Sequence, residues 1–261
     1  MSSIDNKRVS YILGYMRNYR FTILAEDRII PERELISVMN KATIHQVRNV
    51  LRLENGALEE ISFIDGSGWV YFCSLKSINK DNLEFQIRSK SLSQREPKKQ
   101  VKFLIPIIKP EAFNLMVQKL TEIGVYELQP IFYQRSQEPY LKSFIKHQEK
   151  IRTIIQEATE QSQGARFTLL HDCKKLSEID NFDAQALKLF GYEALAGSET
   201  NSILQKTNCN KIILAVGPEG GLTDQEAEFF YQHDFQACSL GKRLLKAETA
   251  AISLVSKLDL E

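Results

Sequence analysis

Hydrophobic and polar positions follow two different patterns along this chain, and the pattern changes near residue 100. Before that point, runs of high β propensity such as residues 69–75 and 83–87 occur in a segment punctuated by Gly56, Gly66 and Gly68. After it, apolar runs of strand length alternate with segments whose apolar residues recur every three or four positions. The first pattern predicts a small β-rich domain. The second predicts an α/β domain whose mostly parallel sheet carries helices on both faces.

A polar linker separates the two patterns. Residues 89–100, with the sequence SKSLSQREPKKQ, are polar, charged and contain proline. The prediction is therefore a β-rich domain over residues 16–90 and an α/β domain over residues 98–261. One helix is expected inside the first domain, where Thr43 stands as its N-cap. The apolar stripe of that helix is expected to comprise Ile44, Val47, Val50 and Leu51.

The second domain is predicted to alternate between strands and helices. Strands are expected at residues 101–108, 125–132 and 186–192. Pro110 opens a helix after the first of them, and Gly124 closes it. A long amphipathic helix is predicted over residues 141–162, with an inner stripe of Leu141, Phe144, Ile145, Ile151, Ile154, Ile155 and Ala158. Ligands are expected at the C-terminal ends of the parallel strands.

Two glycine loops lie in the C-terminal part of the chain. The first, GPEGG at residues 217–221, follows a strand predicted over residues 211–216. The second begins at Gly241, after a strand predicted over residues 235–240. Two strands that each deliver a glycine loop to one edge of a sheet form a pocket whose floor is backbone amides and carbonyls. Neither loop has a GxGxxG or P-loop pattern, so the ligand is not expected to be bound mainly through phosphate groups.

Each glycine loop leads into a predicted helix. Thr223 and Glu226 have the spacing of a capping box, which predicts a helix that runs to about Gln232. From Lys246 the pattern is helical again, with one apolar face formed by Ala247, Ala250, Ala251, Leu254 and Val255. For the first loop taken alone, one alternative stays open. It is a tight strand-to-helix turn that binds no ligand.

Composition limits the possible partners. The net charge of the 261 residues is +1, so contact with nucleic acid must come from local basic patches. The four cysteines are far apart and show no metal-ligand spacing, which predicts reduced, mostly buried thiols and no metal site: Cys73, Cys173, Cys209 and Cys238. No apolar run approaches the roughly 18 residues of a membrane span, and the N-terminus lacks a signal-peptide pattern. We therefore expect a cytoplasmic protein with no membrane partner.

Several motifs together resemble one known family. GPEGGLTDQE, followed by SLGKRLLKAETAA, resembles the C-terminal signature of the RsmE family of SPOUT-class RNA methyltransferases. VQKLTEIGV at residues 117–125, QRSQ at residues 134–137 and EATEQSQG at residues 157–164 are similar to internal motifs of that family. HQVRNVLRLENG resembles a segment of its N-terminal PUA-like domain. The motifs occur in the family's order over roughly residues 16–257.

The resemblance implies a fold, a cofactor and a substrate. It implies a SPOUT domain with a C-terminal trefoil knot, preceded by a PUA-like domain that presents RNA, in a homodimer. The implied reaction is methyl transfer from S-adenosyl-L-methionine to N3 of a specific uridine in 16S ribosomal RNA, either naked or in the small ribosomal subunit. Cofactor contact is implied for Leu195, Gly217, Pro218, Glu219, Gly220, Gly221, Leu240, Gly241, Leu244, Leu245, Glu248 and Thr249. RNA contact is expected for Arg17, Arg20, Arg48 and Arg52, with solvated surface charge as the alternative.

Two cations beside the second glycine loop are the candidates for catalysis. Uracil N3 carries a weakly acidic proton, so such an enzyme must remove it or stabilise the anion that spreads onto O2 and O4. A fixed cation near these oxygens provides that stabilisation. Arg243 is expected to orient the base or a flanking phosphate, and Lys246 to support the developing charge. Members of the family commonly carry arginine in place of Lys246, and lysine lacks the bidentate fork.

No general base is evident from the sequence. Glu219 is a candidate proton acceptor or a partner for the amino group of the cofactor, and Glu248 has the ordinary place of an acidic residue at a helix N-terminus. Two other functions stay open. One is a non-catalytic RNA-binding or ribosome-assembly protein with a SPOUT fold, and the other is a SPOUT methyltransferase that acts on another RNA.

Overall fold

The computed structural model of the chain describes residues 19–54, 60–179, 181–192 and 209–260. The chain divides into two compact units, Met1–Gln94 and Arg95–Glu261. The division lies inside the polar segment that the sequence indicates as a linker. Gly56, one of the predicted separators between strands, lies outside the described residues.

The first unit is built on a six-stranded sheet. Its strands are β1 (Tyr19–Thr22), β2 (Arg28–Ile30), β3 (Leu35–Val38), β4 (Ile61–Ile64), β5 (Trp69–Ile78) and β6 (Leu83–Leu92). They are ordered β1-β4-β5-β6-β3-β2, with β1 parallel to β4 and the other neighbours antiparallel. The prediction of a β-rich first unit is confirmed. The predicted start of the linker at residue 89 is wrong, because Ser89 and Ser91 still pair with β5.

Aromatic side chains from three strands form the centre of the core in this unit. Phe63 is fully buried, and its ring centroid lies 5.8 Å from that of Phe21 and 4.8 Å from that of Phe85. Cys73 belongs to the same cluster. Burial raises the pKa of the Cys73 thiol to about 12, so this thiol stays protonated near neutral pH.

The helix of the first unit begins earlier than the sequence suggests. α1 (Lys41–His45) starts after Asn40, whose side-chain oxygen accepts a hydrogen bond from the backbone N–H of Thr43 at 3.0 Å. Asn40 is therefore the N-cap, and the prediction of Thr43 as the cap is wrong. Thr43 lies inside the first turn. Ile44 and Val47 are buried, as the predicted stripe requires.

A π-helical turn, Gln46–Val50, continues this helix. In it the backbone N–H of Leu51 donates to the carbonyl of Gln46 at 2.9 Å, a bond that spans five residues. The wider turn departs from the residue spacing of an α-helix. Val50, the last residue of this turn, is 64% exposed, and its predicted place in the apolar stripe is wrong.

The second unit contains a seven-stranded sheet in which every described pair of strands is parallel. Its strands are β7 (Gln100–Pro106), β8 (Glu127–Phe132), β9 (Leu169–Leu170), β10 (Lys174–Lys175), β11 (Leu187–Gly191), β12 (Lys211–Ala215) and β13 (Gln236–Cys238). The order is β10-β8-β7-β12-β11-β13, and β9 also pairs with β8. The predicted parallel sheet is confirmed.

Helices cover both faces of this sheet, as predicted. They are α2 (Pro110–Ile123), α3 (Glu138–Lys146), α4 (Gln148–Gln161), α5 (Asp224–Gln232) and α6 (Ala247–Ser256). Side chains alternate along each strand, so Ile212 and Leu214 of β12 pack into the core beneath α2, α4 and α6. Ile213 and Ala215 point to the opposite face and pack into the core with α5.

The long amphipathic helix predicted over residues 141–162 is wrong in one respect: it is two helices, α3 and α4, that meet at His147. The backbone N–H of His147 donates to the carbonyls of Ser143 and Phe144 at 3.0 and 3.2 Å, which closes α3. A new helix axis therefore begins at His147. Ile151 and Ile155 of α4 face the core, whereas Ile145 at the end of α3 is 61% exposed.

The cysteines of the second unit differ in burial. Cys238 is buried, and Cys173 and Cys209 are partly exposed. Burial raises the pKa values of Cys238 and Cys173 to about 11 each, so both are neutral thiols near pH 7. Among the helices in the described ranges, none combines the length and the apolar character needed to span a bilayer.

Candidate active site

A cavity of about 1020 Å³ lies in the second unit where β11, β12 and β13 end. Four segments line it: Gly191 and Tyr192 after β11, residues 216–222 after β12, residues 240–248 with Ala250 after β13, and the start of α2. These are the C-terminal ends of neighbouring parallel strands, the edge at which open α/β sheets bind ligands. The two glycine loops therefore meet in one cavity, as the sequence predicts.

In the first glycine loop, position 217 has no room for a side chain. A Cβ added at Gly217 would lie 2.9 Å from Cγ and 3.1 Å from the backbone nitrogen of Leu222. Gly221 has a φ of 72° and donates its N–H to the carbonyl of Pro218 at 2.8 Å, which closes a tight turn. The loop folds back on itself closely, and an alanine at Gly217 would open it.

The capping box after this loop is present as the sequence predicts. Thr223 is the N-cap of α5; its hydroxyl accepts from the N–H of Glu226 at 3.2 Å, and Oε2 of Glu226 accepts from the N–H of Thr223 at 2.9 Å. The Glu226 side chain is buried. Its other oxygen, Oε1, accepts a hydrogen bond from the backbone N–H of Gln134 at 2.7 Å, so the loop after β8 is tied to the same carboxylate.

Arg135 contacts the first glycine loop from a position that does not line the cavity. Its guanidinium donates to the carbonyl of Gly220 at 2.7 Å and to that of Leu222 at 3.3 Å. A Cβ added at Gly220 would lie 3.2 Å from Cβ of Arg135, so the backbone approaches the arginine stem closely. The sequence analysis assigned no role to Arg135, although it placed the residue in the QRSQ motif.

The second glycine loop has a different character. Gly241 has a φ of 127°, and nothing lies within 4 Å of a Cβ added there. Its N–H donates to the hydroxyl of Ser239 at 3.4 Å. Lys242, Arg243 and Leu244 are exposed, Leu244 at 80%. Glycine is therefore favoured at position 241 because of its backbone conformation, and not because neighbouring atoms leave no room for a side chain.

The start of α2 also lines the cavity, although no sequence motif assigned it to the site. Lys109, Glu111, Ala112 and Leu115 line the cavity there. The signal was available, because Pro110 marks the start of a helix directly after a buried strand. A helix that begins at the C-terminal edge of a parallel sheet stands beside the ligand site.

Most of the predicted site residues come together in this cavity. Those that line it are Gly217, Pro218, Glu219, Gly220, Gly221, Leu240, Gly241, Arg243, Leu244, Leu245, Lys246 and Glu248. Thr249 is exposed in the first turn of α6 and does not line the cavity. Leu195 lies outside the described residues, and Gly191 and Tyr192 are the lining residues nearest to it in sequence.

Charge is unevenly distributed around the cavity. Three of its four cations, Lys242, Arg243 and Lys246, lie on the second loop, and all three are exposed. The first loop contributes the carboxylate of Glu219 and otherwise presents uncharged residues. A reactant with developing negative charge is therefore best placed at the second loop, and a cationic group at the first.

The arginines predicted to contact RNA lie in the first unit and differ in their surroundings. Nε of Arg20 donates to the hydroxyl of Ser62 at 3.2 Å. The guanidinium of Arg48 donates to the carbonyls of Asn79 and Lys80, between β5 and β6, so this side chain has a structural role there. Arg52 is exposed at a φ of 54°, and Arg17 lies outside the described residues. No group of three potential metal ligands occurs in the part of the chain that the structure describes.

Comparison with known proteins identifies the class. The model of the family described as "RNA methyltransferase domain" matches residues 94–259, and this chain belongs to that family. The match spans the second unit almost from end to end, including both glycine loops and the cavity between them.

Particular relatives narrow the comparison. The chain is 29% identical over 245 residues to ribosomal RNA small subunit methyltransferase E of Synechocystis, covering 91% of this chain and 76% of that protein. It is 31% identical over 176 residues to the protein of that name from Mesomycoplasma hyopneumoniae, covering 66% of this chain and 74% of the relative. A Legionella pneumophila protein solved with the cofactor SAM superposes with a TM-score of 0.75 at 26% identity, over 92% of this chain and 96% of that one. The RsmE resemblance and the predicted fold class are confirmed.

Proposed function

We propose that this protein transfers a methyl group from S-adenosyl-L-methionine to N3 of a uridine in 16S ribosomal RNA. The observation that carries the proposal is the cavity, in which two glycine loops assemble the residues that the RsmE resemblance assigns to the cofactor. The curated relatives are named ribosomal RNA small subunit methyltransferase E, and the Legionella neighbour was solved with SAM. Family membership, site geometry and neighbours support the same activity.

The residues around the cavity fit S-adenosyl-L-methionine. Gly191 has no Cβ to fill the cavity wall, and a Cβ there would lie 3.2 Å from Leu240. The floor is backbone from two loops, which suits an adenine that exchanges hydrogen bonds with amides and carbonyls. Glu219 on the first loop is the lining carboxylate suited to the amino group of a methionine end. Neither loop has a phosphate-binding pattern, and this cofactor carries no phosphate.

The chain's own contribution to the reaction is charge and position. S-adenosyl-L-methionine supplies a methyl group on a sulfonium that is already activated. As the bond from the methyl carbon to N3 forms and its bond to sulfur breaks, the N3 proton leaves to solvent or to a carboxylate. Arg243 orients the uracil or a flanking phosphate, and Lys246 stabilises the charge that develops on O2 and O4. Glu219 and Glu248 are the lining carboxylates of the two loops available to accept the proton.

RNA recognition and assembly belong to the same proposal. Arg17, Arg20 and Arg52 of the first unit contact RNA, with Arg48 in a mainly structural role. The protein acts as a cytoplasmic homodimer whose C-terminal domain is knotted. Leu115 and Leu244 support the dimer, because both line the cavity and are 41% and 80% exposed. Large apolar side chains exposed beside a binding site are typical of surfaces that a partner covers.

Two measurements test the function. Calorimetry with S-adenosyl-L-methionine is expected to show one site per chain, and absence of binding would favour a non-catalytic RNA-binding or assembly protein. Mass mapping of ribosomal RNA from a deletion strain is expected to show loss of one methyluridine in 16S RNA, restored by the wild-type gene. Loss of a methyl group from another RNA would instead assign the enzyme to a different substrate.

A further inference from the structure

Residues 134–137 form the loop after β8. This loop does not line the cavity, but it contacts the first glycine loop and the chain just before α2. It contains the QRSQ sequence, to which neither the sequence analysis nor the proposed function assigns a role. Arg135 contacts the first glycine loop, Gln134 contacts Glu226, and Ser136 contacts the chain just before α2. We call residues 134–137 the brace.

Arg135 completes the hydrogen bonding of two peptide groups in the first glycine loop. The carbonyl of Gly220 accepts from Arg135 at 2.7 Å, and the N–H of the same peptide group, on Gly221, donates to Pro218. The carbonyl of Leu222 accepts from Arg135 at 3.3 Å, and the N–H of that peptide group, on Thr223, donates to Glu226. Both peptide planes are thus held from two sides by protein groups.

The brace also contacts the segment that leads into α2. The hydroxyl of Ser136 donates to the carbonyl of Ile107 at 2.9 Å, and the N–H of Ser136 donates to the carbonyl of Tyr133 at 3.0 Å. Ile107 lies between β7 and the first turn of α2, which supplies Lys109 and Glu111 to the cavity. One short segment therefore connects the glycine loop with the start of α2.

We propose that Arg135 is a positioning residue that holds the first glycine loop in its cofactor-binding conformation. This inference rests on the proposed function. A loop that already has its bound shape binds its ligand more tightly, because the ordering cost is not incurred on binding. Arg135 acts through the backbone of Gly220 and Leu222 and contacts no reacting group, so it affects cofactor affinity and not the chemical step. Both hydrogen bonds come from the same nitrogen, Nη1, at the end of the arginine side chain.

The test compares Arg135→Ala and Arg135→Lys with the wild-type protein. We expect Arg135→Ala to raise the Kd and the KM for S-adenosyl-L-methionine about tenfold, with kcat at saturating cofactor within about twofold. Arg135→Lys is expected to recover part of the affinity. Arg152→Ala is the matched control, since Arg152 is an exposed arginine on α4 whose guanidinium pairs with Glu149 at 2.7 Å. A wild-type Kd for Arg135→Ala would overturn the proposal, as would a fall in kcat with an unchanged KM.

A second readout needs no cofactor. Hydrogen exchange at the amides of Gly221 and Thr223 is expected to quicken at least about fivefold in ligand-free Arg135→Ala, while exchange in β7 stays unchanged. Unchanged exchange at these amides would also contradict the proposal that Arg135 holds the loop. If the wild-type protein bound no S-adenosyl-L-methionine, the proposed function would fail, and the exchange experiment would still decide whether Arg135 holds the loop.

Discussion

The two glycine loops form one cavity, but they are held in opposite ways. In the first, residues 217–222, two peptide groups have both their carbonyl and their N–H bonded to protein, and the helix that follows has a capping box. In the second, Lys242, Arg243 and Leu244 are exposed, and α6 begins at Lys246 with no side-chain cap bond. Protein groups hold the first loop from both sides, whereas the second loop presents exposed side chains and leads into a helix without a side-chain cap bond.

This difference separates the tasks of the two loops. A preorganised backbone suits the binding of a cofactor whose shape does not change from one turnover to the next. Exposed cations on the second loop suit an RNA base and its flanking phosphates, which must enter and leave. Substitutions in the first loop should therefore change cofactor affinity, and substitutions of the exposed cation Arg243 in the second should change turnover.

The largest expected effect is in the second loop. Arg243→Ala should lower kcat at saturating cofactor by about 100-fold, because it removes the group that orients the uracil or a flanking phosphate, while the Kd for S-adenosyl-L-methionine changes by less than about threefold. Methyl transfer to 16S RNA and calorimetry measure the two quantities. Lys242→Ala, at the neighbouring exposed cation, should keep kcat within about threefold. Near wild-type turnover of Arg243→Ala would remove Arg243 from the mechanism.

The next effect is in the first loop and has the opposite signature. Gly217→Ala forces Cβ against Leu222, whose backbone nitrogen would be 3.1 Å away. Overpacking of this kind costs about 1–3 kcal/mol, so the Kd for S-adenosyl-L-methionine should rise by about 5- to 150-fold if the whole cost falls on the bound state. Calorimetry measures it, and circular dichroism checks that the variant folds. A folded variant with unchanged Kd would show that the loop does not need its tight turn.

A smaller effect tests the cap that ends the first loop. Thr223→Ala removes the hydroxyl that accepts from the N–H of Glu226 and should destabilise the fold by about 1 kcal/mol. For a unit of this size the Tm should fall by about 2–4 °C in a thermal melt. Thr249→Ala, at an exposed threonine in the first turn of α6, is the control and should leave the Tm within about 1 °C. Equal shifts for the two variants would contradict the cap's role.

The smallest effect should come from Gly241→Ala. Its φ of 127° strains an alanine, but an added Cβ meets nothing within 4 Å, so backbone strain is the one cost and no clash adds to it. We expect the Kd for S-adenosyl-L-methionine to rise by only about threefold, measured beside Gly217→Ala under the same conditions. A loss as large as that of Gly217→Ala would mean that the second loop is as rigidly specified as the first.

The features that sequence reasoning predicted well are those whose cause is local. Gly124 closes α2 with a φ of 91°, and the Thr223 and Glu226 capping box opens α5, because a few neighbouring residues settle each conformation. The same holds for the apolar strand β12, whose alternating side chains fill the two faces of the sheet. The glycine loops were recognisable because only glycine permits such turns.

The errors in the predicted helices arose where the same apolar spacing fits both a continuous α-helix and a helix that breaks or widens. Periodicity continued smoothly through His147 and through Val50, yet the chain breaks at the first, and the second lies inside a π-helical turn. Apolar spacing cannot distinguish one helix from two, because Ile145 fits the stripe of a continuous helix as well as any core residue.

By itself, the sequence determined most of the longer strands and helices of the second unit, that this unit is a parallel α/β unit, and which two glycine loops line the cavity. Tertiary structure alone decided that the start of α2 completes the cavity and that Arg135 holds the first glycine loop. The physical reason is separation along the chain. Arg135 and Gly220 are 85 positions apart, and their contact depends on how β8 and β12 are placed in the sheet, which no local pattern encodes.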